Sequence, residues 1–447
     1  IVTSLGTLTA GTGTVVYDGA DQTIAAAAYN ILSFAGSTSG ATKTFADGTT
    51  SVGNEISITD SLILTGSSAD EVTLQVTTPG ESGSAWRVLT IDAAGKTVTV
   101  VNLTLRGGDI TGLSGAARYG GVIYIVAGTL NLENVMVTDA KAYDGGGIFA
   151  QSSDLILTNS TLSSNSASLY GGGLYTGSSS TVTLINSTLS NNSARYGGGI
   201  FADNSATVTL IDSTIAGNSL SLNGGGIFAT SATVTMNDST INGNSASLNG
   251  GGIFSNNSST VATTNCTISG NSATNSGGGI YASLSTTVTL TDSTISGNSA
   301  SSGAGGVYAS SSTVTLTNAI VAYNYLSDYS NYADICNSSA TIYGNSTISG
   351  YDLTGGGVGN IAYTYTDNGK GDTLFAVYEE ISADIIYRPL LADNGGSTRT
   401  VALAEGSIAA GTGVRAGTYD DAGSTKHAFY NGGDWVKVED GSVVAAG

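Results

Sequence analysis

Basic residues are scarce in this chain of 447 residues, with 13 Lys and Arg against 33 Asp and Glu and a net charge of −20. Between Ala142 and Gly369 the sequence contains one basic residue, Arg195. Proteins that bind a phosphate backbone need Lys and Arg to neutralise it, and anionic membranes make the same demand. The composition therefore excludes nucleic acid as a partner and gives this region nothing with which to hold an anionic membrane.

Long apolar runs and cysteines are also lacking. No stretch of 18 or more apolar residues occurs, which predicts that the chain has no transmembrane segment. Two cysteines are too few for a disulfide scaffold. Cys266 and Cys336 are 70 residues apart, which places them two or three coils apart and beyond disulfide reach unless a loop folds back. Cys266 stands where other repeats have Ser, which indicates a small buried thiol; an intermolecular disulfide is the alternative.

Glycine and small polar residues are abundant instead. The chain has 64 Gly and only 2 Pro, yet 40% of its residues are hydrophobic, too many for a disordered chain. Ordinary helices do not tolerate this much Gly. The composition favours a β-rich fold with many tight turns. Because the chain begins with Ile1 and has no targeting segment, we interpret it as a processed secreted chain or part of a longer one.

An internal repeat of 26 or 27 residues dominates the sequence. Glycine triplets mark it, and they begin at Gly145, Gly171, Gly197, Gly224, Gly250 and Gly277, with a degenerate version at Gly303. Each repeat contains three short runs of alternating apolar and polar residues separated by turn formers, which is strand patterning. One repeat is therefore predicted to be one coil of a three-sided parallel solenoid, with coils about 4.8 Å apart.

Stacked coils place equivalent residues in columns, and three apolar columns are predicted to form the core. They are Val182, Val208, Val234, Val261 and Val288; Leu189, Ile215, Ile241, Ile268 and Ile295; and Ile200, Ile227, Ile253 and Ile280. A column of Asn at one turn predicts a hydrogen-bonded asparagine ladder, because Asn tolerates a left-handed corner and stacked amides bond along the axis. Its members are Asn165, Asn192, Asn218, Asn244, Asn271 and Asn298.

A column of aromatic residues follows the inward Ile of each glycine triplet, so it is predicted to point outward. Its members are Phe149, Tyr175, Phe201, Phe228, Phe254, Tyr281 and Tyr308. Two interpretations stay open at this point. The rings form an exposed interaction stripe, or they stack only on each other or under a loop.

The GGG-I-(F/Y) and S-x-N-S-A elements resemble the repeats of bacterial surface proteins with pectate-lyase-like right-handed β-helices, of the polymorphic outer-membrane-protein and autotransporter type. The segment 389–400 resembles the closing segment of adhesin-like proteins with a variable C-terminal anchor. The resemblance covers about residues 56–413 and implies secretion and display at the cell surface. We expect a capping segment at 1–55, a regular right-handed parallel β-helix at 56–322 with its clearest repeats at 119–322, irregular coils at 323–413 and a β tail at 414–447.

Catalytic residue patterns are weak in the repeats. Asp212 and Asp238 occupy equivalent positions in successive coils, which is compatible with a carboxylate pair of a glycosidase or with a calcium site. Asn186 and Asn265 fill the same slot in neighbouring coils, so turn residues are the simpler interpretation. The single histidine, His427, lies outside the repeats. We expect no catalytic residues, no cofactor and no metal other than this calcium candidate.

Three hypotheses for function follow. The first two are non-catalytic and extracellular: a self-assembling fibre or sheath subunit, which associates head to tail, or a rod-like adhesin, which binds a surface glycan or protein. In the first, the tail strand around Trp435 adds to an open β edge of the next subunit. The third is a β-helix enzyme that acts on a polysaccharide.

Overall fold

A computed structural model describes residues 13–34, 37–77, 86–219, 221–326 and 333–345, together with short strands between residues 348 and 437. The described residues form an all-β parallel solenoid with three parallel sheets, which confirms the predicted fold class. The chain divides into two compact units, residues 1–233 and 234–447. A regular coil contributes four strands, which we name the first to fourth strands, counted from the glycine triplet.

In the first unit, the strands of each type pair in parallel from coil to coil. First strands are Ile56–Ile58, Ile148–Gln151, Leu174–Gly177, Ile200–Ala202 and Ile227–Thr230; second strands are Gln22–Ile24, Ala41–Phe45, Leu62–Thr65, Ser153–Thr158, Thr181–Ile185 and Thr207–Ile211. Two longer strands, Leu89–Val101 and Ile123–Glu133, each span the positions of a first and a second strand. The first and second strands therefore belong to one sheet. Third strands are Ala28–Tyr29, Gly48–Val52, Val72–Val76, Thr104–Arg106, Met136–Thr138, Thr161–Ser163, Thr188–Ser190 and Thr214–Ala216. Fourth strands are Lys141–Asp144, Ser166–Tyr170, Ser193–Tyr196 and Ser221–Asn223.

Two smaller elements complete the first unit. Thr14–Val16 pairs with Ile31–Ser33, and a 3₁₀ turn spans Gly115–Arg118.

The second unit repeats this pattern. First strands are Ile253–Asn256, Ile280–Ser283, Val307–Ser310 and Ile335–Ser338, and second strands are Thr260–Thr264, Thr287–Thr291, Thr313–Thr317 and Thr341–Asn345, after Thr233–Asn237 at the unit boundary. Third strands are Thr240–Asn242, Thr267–Ser269, Thr294–Ser296, Ile320–Ala322, Ile348–Ser349 and Ile361–Ala362; fourth strands are Ser245–Asn249, Ser272–Ala273, Ser299–Ala300 and Tyr325–Leu326. The later strands pair antiparallel: Tyr378–Ser382 with Ile386–Pro389, Leu391–Ala392 with Thr400–Val401, and Arg415–Asp421 with Ser424–Tyr430 and Trp435–Lys437.

The three predicted apolar columns form the core of each unit. Every member of the Val, Leu/Ile and Ile columns is fully buried. Successive side chains of a strand point to opposite faces, so every second residue points inward. The parallel register then stacks equivalent residues of successive coils on one another. Each coil therefore covers its apolar face against its neighbours, which is how a solenoid builds a continuous core.

The asparagine ladder is present in both units. In the first, Asn165 Nδ2 donates to Asn192 Oδ1 at 3.2 Å, and Asn192 Nδ2 donates to Asn218 Oδ1 at 3.1 Å. In the second, the corresponding bonds between Asn244, Asn271 and Asn298 are both 2.9 Å long. All six amides are buried, as the repeat predicts.

The second unit extends the ladder beyond the predicted members. Asn298 Nδ2 donates to Asn324 Oδ1 at 2.8 Å, and Asn324 Nδ2 donates to Asp334 Oδ1 at 2.9 Å. Asn324 keeps the repeat period, 26 residues after Asn298, but Asp334 lies only ten residues after Asn324 and so falls outside it. A carboxylate closes the row.

Cys266 belongs to a second ladder, made of Ser side chains. Ser160 N donates to Ser187 Oγ, and Cys266 N donates to Ser293 Oγ, both at 3.1 Å. Its own thiol donates to Thr264 O at 3.2 Å, as serines of this ladder do to the residue two positions before them. Cys266 is buried, as predicted, and neither cysteine forms a disulfide bond.

Candidate binding surface

The aromatic column lies on the first strands, in register from coil to coil. In the first unit the ring centroids of Phe149 and Tyr175 are 4.3 Å apart, and those of Phe201 and Phe228 are 5.0 Å apart. In the second unit Tyr281 lies 5.1 Å from Phe254 and 5.0 Å from Tyr308. The column continues at two further positions that were not predicted: Tyr124 pairs with Phe149 in the first unit, and Cys336 pairs with Tyr308 in the second.

Stacking covers most of this column. The four Phe rings are at most 8% exposed, whereas Tyr175, Tyr281 and Tyr308 are partly exposed. The structure therefore agrees with the second interpretation, in which the rings stack on each other. The Phe positions do not form an exposed stripe, because neighbouring rings of the column stack on them, and Tyr119, Tyr170 and Tyr196 of a second column also contact Phe149, Phe201 and Phe228.

That second column stands at the residue just before each glycine triplet. In the first unit its members are in register and comprise Tyr119, Asp144, Tyr170, Tyr196 and Asn223. The tyrosine rings lean across the corner onto the aromatic column. The centroids of Tyr119 and Phe149 are 4.6 Å apart, and those of Tyr170 and Phe201 are 4.4 Å apart.

The glycine triplets make this contact possible. Gly145 has a φ of +62°, and a Cβ there would lie 2.5 Å from the carbonyl oxygen of Ile148. A side chain is thus excluded both by backbone conformation and by space. The corner remains free of side chains, so the two columns on either side of it meet.

Two carboxyl groups interrupt the rings. Asp144 takes the place of a tyrosine in the second column, and Tyr170 N donates to its Oδ1 at 3.2 Å. Asp203 follows the first strand Ile200–Ala202 and accepts a hydrogen bond from Tyr175 Oη at 3.1 Å. We call Tyr119, Asp144, Tyr170, Tyr175, Tyr196 and Asp203 the tyrosine–aspartate cluster.

Gly177 leaves the space in which Tyr175 and Asp203 meet. A Cβ on this residue would clash with Asp203 Oδ1 and lie 3.1 Å from Tyr175 Oη. The other residues at this position of the coil carry side chains, Gln151 before it and Asp203 after it. Glycine is therefore required here for room.

Burial dominates the electrostatics of the cluster. It raises the pKa of Asp144 to about 6, with Asp203 adding to the increase, while the Tyr170 amide and Arg118 oppose it. Burial also raises the pKa of Asp203, against the hydrogen bonds from Tyr175 and Asn204. Both carboxyl groups thus hold protons more tightly than ordinary aspartates, as expected for carboxylates withdrawn from water.

Two arginines border the cluster with cation–π contacts. The Arg118 guanidinium carbon lies 3.7 Å from the ring centroid of Tyr143 and 5.5 Å from that of Tyr119. Arg195, the single basic residue of the repeats, lies 5.7 Å from the Tyr196 centroid. Cationic, aromatic and acidic side chains therefore meet at this corner of the first unit.

A cavity of about 390 Å³ opens beside Tyr124. The residues that line it are Glu55, Trp86, Arg87, Thr90, Leu113, Ala116, Ala117 and Tyr124. Trp86 is 42% exposed, which is unusual for so large an apolar side chain, whereas Arg87 is only 5% exposed. We call this site the Trp86 cavity. Tyr124 connects it to the tyrosine–aspartate cluster, because its ring contacts Tyr119 and Phe149.

The predicted carboxylate candidates lie elsewhere. Asp212 and Asp238 each occupy a left-handed corner, with φ of 51° and 49°, and Asp238 Oδ1 accepts a hydrogen bond from Asn265 at 3.2 Å. Asn159, Asn186 and Asn265 share this conformation in their own coils. Over the part of the chain that the structure describes, no group of three or more His, Cys, Asp or Glu is placed to hold a metal ion.

The tail residues lie in the antiparallel strands. Trp435 pairs with Tyr430 within the chain, so one edge of the predicted docking strand is already occupied, and His427 pairs with Thr418. No helix among the described residues is long and apolar enough to cross a membrane.

Comparison with known proteins identifies the family. The family described as "Right handed beta helix region" matches residues 120–292 and 198–370, which together exceed half of the chain. The chain belongs to this family. No curated protein matches this right-handed β-helix. A solved structure titled "Crystal structure of Agl-KA catalytic domain" is similar to it with a TM-score of 0.41 and 14% identity, over 68% of this chain and 63% of that one. The chain thus spans less than two thirds of that protein's length.

Proposed function

We propose that this right-handed β-helix is a non-catalytic extracellular protein of the adhesin type, which binds its partner through the tyrosine–aspartate cluster and the adjoining Trp86 cavity. The observation that carries the proposal is the break in the repeat at this corner. The equivalent column in the second unit holds Asn249 and Ser276, whereas the first unit has Tyr119, Asp144, Tyr170 and Tyr196.

Partly exposed tyrosines favour binding. A tyrosine offers a rigid apolar ring and a polar hydroxyl, and it loses little conformational entropy when it is fixed, so it is enriched in binding surfaces. Packing of the core does not require these rings, because the coils of the second unit have short polar residues at the same position. The tyrosines at this position of the first unit therefore support a role in contacting a partner.

The hydrogen bonds of the two carboxyl groups favour binding over catalysis. Asp144 is 7% exposed and accepts from a backbone amide, and Asp203 accepts from Tyr175. A general acid or base has to reach the proton of its substrate. Both groups are engaged within the protein, which supports a positioning role. Secretion and surface display are part of the proposal and rest on the family resemblance.

The test uses substitutions that the protein already accepts elsewhere. Tyr170→Asn with Tyr196→Asn imitates Asn249 and leaves the glycine corner intact, and Asn223→Ser imitates Ser276 as the matched control. Binding of each purified full chain to arrays of glycans and immobilised extracellular proteins is measured at equal concentration. We expect the double variant to lose about tenfold or more in affinity for whatever the wild type binds, and the control to retain it.

Two results contradict this proposal. The first is equal binding by the wild type and the double variant. The second is release of sugar from a polysaccharide panel by the wild type that disappears in Asp144→Asn or Asp203→Asn, because this result makes the protein an enzyme.

A fibre or sheath subunit is the second candidate. One observation favours it: Trp435–Lys437 is the edge strand of a three-stranded antiparallel sheet, and an edge strand can pair with another chain. Negative-stain electron microscopy across a concentration series decides between the two. Filaments that appear with concentration and disappear after deletion of residues 430–447 favour the fibre, and single particles at every concentration favour the adhesin.

A further inference from the structure

The outer side of the third strands is buried in the second unit. Ile295 points into the core, so Ser296 beside it points outward. Ser296 is nevertheless 0% exposed, and so is Ala322, which pairs with it in the next coil. Ser190 and Ala216 form the matching pair in the first unit, and both are partly exposed. Because residue types and register are the same in the two pairs, the difference indicates that something lies on this side of the second unit.

The last complete coil carries large side chains at outward positions. Ile320 pairs with Thr294, and Tyr325 pairs with Ser299, so a small polar residue is replaced at each position. Ile320 is 7% exposed and Tyr325 is 5% exposed. Large apolar groups at outward positions of a sheet are either an exposed patch or an interface. Their burial indicates an interface.

Tyr323 marks the edge of this interface. It occupies a corner with a φ of 60°, which is strained for a bulky side chain, and Gly297 N of the preceding coil donates to its carbonyl oxygen at 3.0 Å. Its ring is 0% exposed. Burial of this corner increases from coil to coil, since Gly243 is exposed, Gly270 is half-buried, and Gly297 and Tyr323 are buried. The covering group therefore comes from the C-terminal end of the coils.

Two hydroxyl groups on this side have no partner. Ser269 Oγ and Ser296 Oγ are buried and make no hydrogen bond, although both residues point outward. Buried polar atoms without a partner are rare in native proteins. Because solvent does not reach these hydroxyl groups, the group that lies against them is part of the folded chain rather than an added ligand.

The chain supplies a segment of sufficient length. Its last third strand is Ile361–Ala362, and the sequence continues from residue 363 to Gly447. These residues belong to the same compact unit as the coils from Val234 onwards. A segment that leaves the last coil and folds back over the third strands accounts for the increase in burial towards Tyr323.

Residues 327–332 are too few to form the cover. They join Leu326 to Ala333, and Ala333 N donates to Asn324 O, so both ends of this loop are held in the last complete coil. Half of the loop reaches about 10 Å. Thr267, which is 4% exposed, lies two coils away, which is also about 10 Å. No residues would be left to lie along the intervening coils.

We propose that the segment 363–447 docks on the outer side of the third strands of its own second unit. We call this side the covered face; its residues are Thr267, Ser269, Ser296, Ile320, Ala322, Tyr323 and Tyr325. Tyr323 and Tyr325 anchor the segment, and its backbone brings the polar groups that face the two serine hydroxyl groups. The inference goes beyond the proposed function: the covered face is an internal interface, closed to any other partner while the segment is docked.

The test measures the reactivity of single cysteines in the full chain. Ser296→Cys and, as the matched control, Ser190→Cys are each introduced together with Cys266→Ser and Cys336→Ser, which remove the two natural thiols. A protease recognition sequence inserted between residues 362 and 363 allows the segment to be cut and released in mild urea. We expect Ellman's reagent to label the thiol at position 296 at least about 100-fold more slowly than the thiol at 190 before cleavage, and at a similar rate after release.

Tyr323→Gly tests the anchor without cutting the chain. It imitates Gly297 at the same corner and removes the strained backbone conformation, so the coil itself is expected to remain folded. Labelling at position 296 is expected to become about tenfold faster, because the segment is held less tightly. Tyr343→Ala removes a tyrosine of the same unit that is 49% exposed, and it should leave the rate unchanged. Circular dichroism of each variant checks that the coils are retained.

Three results overturn this inference. Equal labelling at positions 296 and 190 in the uncut chain shows that the face is not covered. Protection that survives release of the segment assigns the cover to the coils and their loops. Protection that is lost when the uncut chain is diluted identifies a second copy as the occupant and favours the fibre. The Tyr170 and Tyr196 double variant is tested separately, so failure here leaves the proposed function standing.

Discussion

Tyr175 and Asp203 belong to neighbouring coils and are joined by a hydrogen bond of 3.1 Å, in a space that exists because residue 177 is Gly. The bond links the aromatic column to the carboxyl groups of the tyrosine–aspartate cluster. Burial raises the pKa of Tyr175, and the adjacent carboxylate and its hydrogen bond raise it further. The hydroxyl therefore stays protonated and acts as a donor.

Gly177→Ala is expected to destabilise the first unit by about 1–3 kcal/mol, because the new methyl group displaces Asp203 and leaves polar atoms without partners. Gly112→Ala is the control, since a Cβ there meets no atom within 4 Å. Chemical denaturation followed by circular dichroism gives both values. Equal stability of Gly177→Ala and Gly112→Ala would show that the space at residue 177 is not required.

Asn271→Ala is expected to cost about 2–4 kcal/mol of unfolding free energy. Its amide donates to Ile241 O and Asn298 Oδ1, and its Oδ1 accepts from Asn244, so truncation leaves several buried groups unpaired. Asn256→Ala is the control in the same unit, because Asn256 Oδ1 has no hydrogen-bond partner. A loss of similar size in both variants, measured by urea denaturation, contradicts a special role for the ladder.

The stability of the first unit is expected to fall as the pH rises from about 4 to above 6. The pKa of Asp144 is raised from 3.8 to about 6, so the folded chain binds more protons than the unfolded chain in this range. The associated stabilisation is complete below the unfolded pKa and is lost as the pH passes the folded one, by up to about 3 kcal/mol. Arg118, Asp203 and the tyrosines around Asp144 adjust the midpoint but not the sign.

Asp144→Asn provides the measurement of this effect. The amide oxygen can still accept from Tyr170 N, but the side chain no longer titrates. Urea denaturation at pH 4, 5, 6 and 7 is expected to give a smaller slope of stability against pH in the variant. Parallel curves for the wild type and the variant would assign the slope to another group.

The two thiols are expected to react at very different rates. Burial raises the pKa of Cys266 to about 11, and its thiol is covered within the serine ladder, whereas Cys336 is partly exposed. Ellman's reagent should therefore label Cys336 in the folded protein and both thiols only after unfolding. Cys266→Ser should leave the unfolding free energy within about 1 kcal/mol, because Ser fills this position in neighbouring coils. Labelling of Cys266 before unfolding contradicts the packing described here.

Most of the fold could be predicted from the sequence, because parallel coils stack equivalent residues of successive repeats on one another. The period of 26 or 27 residues predicts the Val and Ile columns, the asparagine ladder and the aromatic column, and the structure has all of them. The same rule fails where a residue departs from the repeat. Asn324 keeps the period, 26 residues after Asn298, but lacks the Ser and Ala that follow the Asn in other repeats, whereas Asp334 breaks the spacing. Trp86 lies before the first clear triplet.

The candidate binding surface was harder to predict, because its contacts are diagonal. Tyr170 meets Phe201 and Tyr175 meets Asp203, pairs that belong to different columns and different coils. The repeat period relates only residues at the same position of successive coils, so it does not bring such residues together. A signal was nevertheless present: Asp144 interrupts a column of Tyr, and Gly177 stands where neighbouring coils have Gln or Asp.

The end of the asparagine ladder at Asp334 gives the row a direction. Along the row of side chains in the second unit, each Nδ2 donates to the Oδ1 of the next member towards the C-terminus, and the Asp334 carboxylate accepts the last of these bonds. A duplicated coil inserted between Asn244 and Asn324 preserves this polarity, because every new Asn finds a donor before it and an acceptor after it. A coil inserted after Asp334 would begin beside a carboxylate, which lacks the side-chain N–H that an Asn donates to the next member of the row. The number of coils in the second unit can therefore change by gene duplication within the row, while its final member stays fixed.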